Sequence, residues 1–209
     1  ANIPIFNSLN NQNILFILDR AHGKDVQDRI IDGFEEWKYS DKVVNRLANK
    51  LDFAEIPYMK NVPEDYEIGL SERVFRANTY SSKVLKPILI SFHNNAGGGS
   101  GNELYLPINP TFEEIKIGNI FAQNIKNGFP NIMWRKERVD KLYKEGNYTI
   151  LNGTNEIIPK YNGLLIEFLF MDNINDRKLL EDDNILNKYV EILYNSILDV
   201  INYYGFDKY

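Results

Sequence analysis

The strongest β-strand signal in this chain is the run Pro87-Ile-Leu-Ile-Ser-Phe-His-Asn-Asn-Ala-Gly97. Its apolar first half is typical of a buried strand, and proline is tolerated where a strand begins. A second buried strand is predicted over residues 13–19. Each strand is followed by one of the only two histidines of the chain, His93 and His22. Because ligands and catalytic groups collect at the carboxyl ends of strands in α/β sheets, this placement indicates a functional role for both histidines.

Helical patterns alternate with the strands along the chain. Helices are predicted over residues 36–51, 69–81, 111–126, 135–144 and 184–204, the third of them opened by a capping box, Thr111-Phe-Glu-Glu114. Further strands are predicted over residues 53–59, 148–151 and 163–168, and loops over residues 60–67 and 97–101. The alternation predicts an α/β fold, a three-layer αβα single domain with a central, mostly parallel or mixed twisted sheet flanked by helices. We expect a single domain to span residues 1–209.

The composition excludes several classes of site. The chain has no cysteine, so it has no disulfide, thiolate metal site or cysteine nucleophile. Its formal net charge is −5, and no basic stripe suggests a nucleic-acid partner. No apolar run approaches the roughly 20 residues of a membrane span, and residues 1–9 lack the pattern of a secretory signal. We therefore expect neither nucleic-acid binding nor membrane insertion.

A metal site is the chemistry that the two histidines indicate, because neutral imidazole is the commonest metal ligand. Glu35 and Glu36 stand at the start of the first predicted helix, where a carboxylate can turn back toward the strand ends. His22, His93 and one of these glutamates would leave a fourth position open for water, as in catalytic zinc sites. Acidic residues are also common in the first turn of any helix, so the pattern leaves a purely structural role for both glutamates open.

Glu167 interrupts the apolar run Leu164-Leu-Ile-Glu-Phe-Leu-Phe170. A charge inside such a run is costly unless it is paired or coordinated. The carboxylate would serve as a general base if it faces the functional edge of the sheet. Pairing with an arginine, or capping of a buried amide, explains the pattern equally well.

These motifs together resemble the zinc-dependent N-acetylmuramoyl-L-alanine amidases of the amidase-3 type. That family has Asp-x-Gly-His-Gly after its first strand, a glutamate at the start of the next helix, Leu-x-x-Arg-x-x-x-Ala-Asn in a later helix, Ser-x-His-x-Asn at a strand end and Glu-x-Gly-Phe-x-x-Asn in a late strand. The matching residues are Asp19, His22, Gly23, Glu36, Leu70, Arg73, Ala77, Asn78, Ser91, His93, Asn95, Glu167, Phe170 and Asn173. Ala21 and Leu169 stand where the family has glycines, which leaves the shape of the pocket open.

The resemblance implies one Zn²⁺ per chain, held by His22, Glu36 and His93, with Glu35 as the rival of Glu36. It also implies that Glu167 moves the proton in hydrolysis of the amide bond between N-acetylmuramic acid and L-alanine of peptidoglycan. We further expect Asn95 to support His93 or to contact substrate.

Three further side chains near these motifs have expected roles. Trp37 is expected to line the substrate groove, Tyr39 to pack in the core, and Arg73 to make a structural ion pair.

Two other functions remain open at this stage. They are a zinc peptidase or deacetylase that acts on another wall bond, and a non-catalytic peptidoglycan-binding domain on the same scaffold. The resemblance also implies that residues 1–209 form one catalytic amidase domain without a separate cell-wall-binding module. The expected partner is peptidoglycan, and the expected state is a monomer. The expected setting is a bacteriophage endolysin, a bacteriolytic enzyme held in the host cytoplasm until its release to the cell wall. A secreted or periplasmic mature form is the alternative setting.

Overall fold

The computed structural model of the protein describes residues 13–206. Its strands are, in chain order, β1 (Ile14–Arg20), β2 (Ile30–Ile31), β3 (Phe34–Glu35), β4 (Tyr58–Lys60), β5 (Lys86–Asn95), β6 (Asn102–Leu106), β7 (Lys144–Glu145) and β8 (Asn162–Phe170). Its α-helices are α1 (Glu36–Phe53), α2 (Leu70–Ser81), α3 (Phe112–Gly128), α4 (Thr149–Asn152), α5 (Ile174–Leu180) and α6 (Asp183–Tyr203).

A mixed sheet of six strands forms the centre of the domain, in the order β4-β1-β5-β8-β6-β7, and β2 and β3 form a separate hairpin. Strands β4, β1, β5 and β8 are parallel to one another, whereas β6 runs antiparallel to β8. The carboxyl ends of β1, β5 and β8 therefore meet the amino end of β6 at one edge of the sheet.

Helices cover both faces of the sheet, which confirms the predicted three-layer αβα fold. Helices α1, α3 and α6 pack on one face over the larger apolar core. Helices α2 and α4 cover the other face over a smaller core. The predicted capping box is present at the start of α3, with Thr111 and Glu114 each bonding the backbone of the other.

The face covered by α2 and α4 turns from apolar to polar toward the carboxyl edge. Successive side chains of a strand alternate between faces, so every second residue shares one side. Leu89 lies in the smaller core, and Ser91 and His93 follow it on the same side of β5. In β8, Leu165 lies in that core and Glu167 follows it. This pattern brings polar side chains of neighbouring strands together at the edge.

Three local predictions differ from the structure. Residues 135–144 do not form a helix. Residues 135–143 are irregular and β7 follows, and the Trp134 indole bonds the carbonyl of Leu142 at 2.8 Å. Residues 148–151 were predicted as a strand, but α4 is a helical turn, because short apolar runs fit either structure. The predicted strand over 53–59 shortens to β4, since α1 continues to Phe53.

The glycine-rich segment 97–101 is tightly turned. Asp172 accepts hydrogen bonds from the backbone N–H groups of Gly97 and Gly98 at 2.7 and 2.8 Å. Asp176 accepts one from Gly101, whose φ of 97° favours glycine.

The expectation that residues 1–9 carry no secretory signal lies outside the described residues. No helix within residues 13–206 has the length and apolar character needed to cross a membrane.

Candidate metal and catalytic site

Three side chains from separate elements meet at the carboxyl edge of the sheet. His22 follows β1 in a left-handed conformation with φ 48°, Glu36 opens α1, and His93 lies in β5. One nitrogen or oxygen of each lies within 4.8 Å of the others. Of residues 13–206, only these form such a group of three or more histidine and carboxylate side chains.

Glu36 lies behind the two imidazoles and is only 1% exposed. Its carboxylate lies 3.3 Å from His22 Nε2 and 3.1 Å from His93 Nδ1, and it accepts the backbone N–H of Asn94 at 3.0 Å. Burial alone would raise the pKa of Glu36, but the adjacent imidazoles of His22 and His93 lower it to about 2. Its Oε2 is buried and has no hydrogen-bond partner. The group therefore offers an anionic oxygen and two imidazole nitrogens converging on one point.

Glu35 points away from this group. Its carboxylate accepts hydrogen bonds from the indole of Trp37 at 2.8 Å and from Lys38 at 3.2 Å, and these bonds lower the pKa of Glu35. The Trp37 ring lies beneath the guanidinium of Arg20, 5.7 Å from its centre. The structure therefore brings Glu36, and not Glu35, to the two histidines.

Ser91 determines which nitrogen of His93 faces the group. Its hydroxyl donates its one hydrogen to Asp19 at 2.7 Å and lies 3.1 Å from His93 Nε2. The hydroxyl oxygen can therefore only accept from His93, so Nε2 carries the hydrogen and Nδ1 has a free lone pair. That lone pair points at the Glu36 carboxylate. Two acceptors 3.1 Å apart are what a cation between them would satisfy.

Two buried arginines hold the loop that carries His22. The guanidinium of Arg20 bonds the carbonyls of His22 and Glu64, the latter at 2.7 Å. Arg73 bonds the carbonyl of Arg20 at 2.5 Å and forms ion pairs with Asp19 at 3.6 Å and with Glu67. Arg73 is thus structural, as its sequence position predicted. The role of Arg20 was not predicted, because the family motif leaves that position unspecified.

Glu167 lies directly opposite His93 in the β5–β8 pairing. Its Oε2 is buried without a hydrogen-bond partner. Burial raises the pKa of Glu167 well above its usual value, and the negative charges of Glu36 and Glu103 add to the effect. The site therefore contains a carboxyl group that holds a proton unless a positive charge lies beside it.

Glu103 is a second buried acid at this edge, and sequence reasoning missed it. It lies opposite Glu167 in the antiparallel β6–β8 pairing. Burial alone would raise the pKa of Glu103, but hydrogen bonds from Lys144 at 2.6 Å and from Arg135 and Tyr105 at 3.1 Å lower it overall. The alternating run Asn-Glu-Leu-Tyr-Leu over residues 102–106 was the available signal, because it is typical of a strand.

Asn95 also bonds Glu103 through its amide, and its oxygen accepts the backbone N–H of Ala96. The polar atoms of Asn95 are thus engaged within the protein.

A cavity of about 310 Å³ opens in front of these groups. It is lined by His22, Arg29, Leu70, His93, Asn94, Asn95, Ala96, Tyr148, Thr149, Ile150, Leu165 and Glu167. Trp37 is not part of this lining. A larger cavity of about 470 Å³ lies between α6 and the end of α1, away from all these groups. The smaller cavity is the candidate site, because the convergent titratable side chains lie there.

The chain matches the family model of the N-acetylmuramoyl-L-alanine amidases (Amidase_3) over residues 16–199. No curated protein is significantly similar to it in sequence. Its fold is similar to that of an N-acetylmuramoyl-L-alanine amidase from Clostridium difficile 630, with a TM-score of 0.75 and 21% identity over 92% of this chain and 98% of that one.

A second similar structure is the catalytic domain of CwlV, an N-acetylmuramoyl-L-alanine amidase from Bacillus (Paenibacillus) polymyxa var. colistinus, with a TM-score of 0.73 and 17% identity over 91% of this chain and 98% of that one. At these identities the structures establish the shared fold, and the family match adds the sequence relationship. The chain belongs to the N-acetylmuramoyl-L-alanine amidase family.

Proposed function

We propose that the protein is a zinc-dependent hydrolase that cleaves the amide bond between N-acetylmuramic acid and L-alanine in peptidoglycan. One observation carries the proposal: Glu167, whose buried Oε2 has no hydrogen-bond partner, lies opposite His93 of the convergent group His22, Glu36 and His93. Family membership indicates the substrate, because the geometry alone suits many amides.

The donor set fits Zn²⁺. Two imidazole nitrogens and one carboxylate oxygen leave one of four tetrahedral positions open, as in catalytic zinc sites. The buried, unbonded Oε2 of Glu36 and the lone pair on Nδ1 of His93 supply the ligand atoms that such an ion needs. We propose that His22, Glu36 and His93 hold one Zn²⁺ per chain. When bound, the ion would supply a Lewis acid for a water molecule and for the substrate carbonyl.

We assign the proton transfers to Glu167. Its Oε2 makes no hydrogen bond within the protein and the residue lines the cavity. With a cation held beside it, the ionised carboxylate can take a proton from the attacking water and return it to the leaving amine. The apolar side chains Leu165 and Ile150 line the same cavity. We propose that Asn95 supports this arrangement by its bond to Glu103 rather than by touching substrate.

The groove residue expected from sequence, Trp37, is not part of this proposal, because its ring packs on Arg20 outside the cavity. The single-domain extent, the monomeric state and the endolysin setting remain predictions.

Analysis of the products tests the proposed reaction. Purified peptidoglycan incubated with zinc-loaded protein should release stem peptides that begin with a free L-alanine amine, and the glycan strands should stay uncut. Mass spectrometry distinguishes these products from those of a peptidase or deacetylase. Peptidoglycan that is bound but never cleaved would favour the binding-domain alternative.

Glu167→Gln tests the catalytic assignment. The variant should keep its zinc and its fold and lose about 100- to 10,000-fold in rate, the range typical of general acid–base catalysis. Glu156→Gln is the matched control, because Glu156 is exposed and lies outside the cavity. A fully active Glu167→Gln variant would remove the centre of the mechanism.

A further inference from the structure

Arg29 is a partly buried cation at the rim of the cavity, and the reaction proposed above does not use it. It lines the same cavity as His22, His93 and Glu167. It ends a short 3-10 turn, Gln27–Arg29, that leads directly into the β2–β3 hairpin. Its position beside three groups of the proposed site calls for a chemical role.

Among residues 13–206, Arg29 differs from every other arginine in making no side-chain hydrogen bond or ion pair. The arginines that do make such contacts are Arg20, Arg46, Arg73, Arg76, Arg135, Arg138 and Arg177. A guanidinium group offers five donors in a planar fork that matches a carboxylate. Arg29 therefore presents an unused anion-binding group to the cavity.

The hairpin that follows Arg29 is anchored at its turn and leads directly into α1. Arg177 bonds the carbonyl of Ile31 and the carboxylate of Asp32, each at 3.1 Å, which anchors the hairpin. The hairpin ends at Glu35, next to the first residue of α1. The base of the Arg29 side chain is thus positioned by the same short segment that positions Glu36.

The charges around the cavity make an unpaired cation useful. Glu103 is offset by two paired cations, whereas Glu36 carries a negative charge that would repel an anionic ligand. Arg29 supplies a positive charge from within the cavity lining. Its charge opposes the rise in the pKa of Glu167, but the two side chains form no ion pair.

We propose that Arg29 binds a free carboxylate of the stem peptide, on the residue that follows L-alanine. The inference rests on the proposed amidase function and adds the chemical class of the peptide that the site accepts. A bidentate pair between guanidinium and carboxylate would orient the leaving side of the scissile bond. The enzyme would then prefer acidic stem peptides over those in which this carboxylate is amidated.

Two soluble muramoyl dipeptides test the preference. Both carry L-alanine, and they differ only in the next residue, which bears a free α-carboxylate in one and a carboxamide in the other. The native protein should cleave the acid with the higher kcat/KM. Arg29→Gln should lose about 10- to 100-fold on the acid, the value of a hydrogen bond to a charged group, and about 2-fold or less on the amide. On the acid, the kcat/KM of Arg29→Lys should lie between that of native protein and that of Arg29→Gln. Lysine keeps the positive charge but cannot form the bidentate pair.

Arg138→Gln is the matched control, since Arg138 is exposed, paired with Asp140 and outside the cavity. The Arg138→Gln variant should cleave both dipeptides with the native kcat/KM. Equal losses on the acid and the amide in Arg29→Gln, or no loss on either, would overturn the proposal.

Binding separates this inference from the amidase function. Calorimetry with the Glu167→Gln variant gives Kd for both dipeptides without turnover, and this variant should bind the acid more tightly. The double variant Glu167→Gln, Arg29→Gln should bind both dipeptides equally. If native protein cleaves neither dipeptide nor peptidoglycan but this preference in binding is present, the amidase proposal fails and the role of Arg29 stands. If the two Kd values are equal while cleavage proceeds, the role of Arg29 is wrong and the amidase proposal stands.

Discussion

Replacing Glu36 by glutamine removes one negative charge from the proposed metal site with almost no change in shape. The side-chain oxygen of glutamine can still accept the backbone N–H of Asn94, which Glu36 bonds at 3.0 Å. What changes is the interaction with the imidazoles of His22 and His93, at 3.3 and 3.1 Å. Glu36→Gln is therefore a test of charge at the site, with packing held nearly constant.

The expected loss of zinc affinity is at least about 100-fold, or about 2.7 kcal/mol. Replacing a residue that only supports a metal ligand typically lowers metal affinity 10- to 100-fold. We propose that Glu36 is a direct ligand, so its replacement should lower the affinity at least as much. The metal-free protein should also lose stability. The pKa of Glu36 is lowered to about 2 in the folded protein against an ordinary 4.5, so ionisation of this carboxyl group favours the folded state.

The sign of that contribution follows from the direction of the shift. Because the folded-state pKa of Glu36 is depressed, the stabilisation is present above pH 4.5 and is lost as the pH falls toward 2. Urea unfolding of metal-free protein at neutral and acidic pH measures this difference between native protein and Glu36→Gln.

Competition with a fluorescent chelator measures the zinc affinity, and Glu35→Gln is the matched control. Glu35 bonds only Trp37 and Lys38 near the surface, so its replacement should change stability by about 0.5 kcal/mol or less and leave zinc affinity intact. Native zinc affinity in Glu36→Gln, or lost zinc in Glu35→Gln, would refute the assignment of the ligand.

Three further outcomes are expected. Ser91→Ala should weaken zinc binding about 10- to 100-fold in chelator competition without unfolding the protein, because Ser91 orients His93. Glu103→Gln should lower unfolding free energy by about 2 kcal/mol at neutral pH, where Glu103 pairs with Lys144, and the difference in urea midpoints should shrink below about pH 4, since the folded-state pKa of Glu103 is depressed. Glu55→Gly should raise the free energy of unfolding by about 1 kcal/mol, because Glu55 is exposed with φ 56° after α1; an unchanged urea midpoint would contradict this.

Much of the architecture follows from the order of residues. Apolar runs over β1, β5 and β8 and the amphipathic patterns of α1, α2 and α6 predicted the layers, because hydrophobic periodicity reflects burial directly. The segment after α3 was not predictable in this way. Residues 135–144 are charged without an apolar stripe, and contacts such as the Trp134 indole to Leu142 decide their path.

The histidines and Glu167 were visible in the sequence because each is unusual where it stands, either at a strand end or inside an apolar run. The choice between Glu35 and Glu36 was not visible, since both occupy a helix start and neighbouring residues of a helix point about 100° apart. Only the approach of α1 to β5 shows that Glu36 meets His93 while Glu35 turns to Trp37.

Tertiary structure alone decided the remaining partners, because each depends on strands or loops distant in sequence. The antiparallel pairing of β6 with β8 places Glu103 beside Glu167, and the parallel pairing of β1 with β5 places Asp19 beside Ser91. Arg29 resembles any surface arginine in the sequence. Its unpaired position in the cavity arises only in the folded chain, since sequence order carries no information about which charges lack a partner.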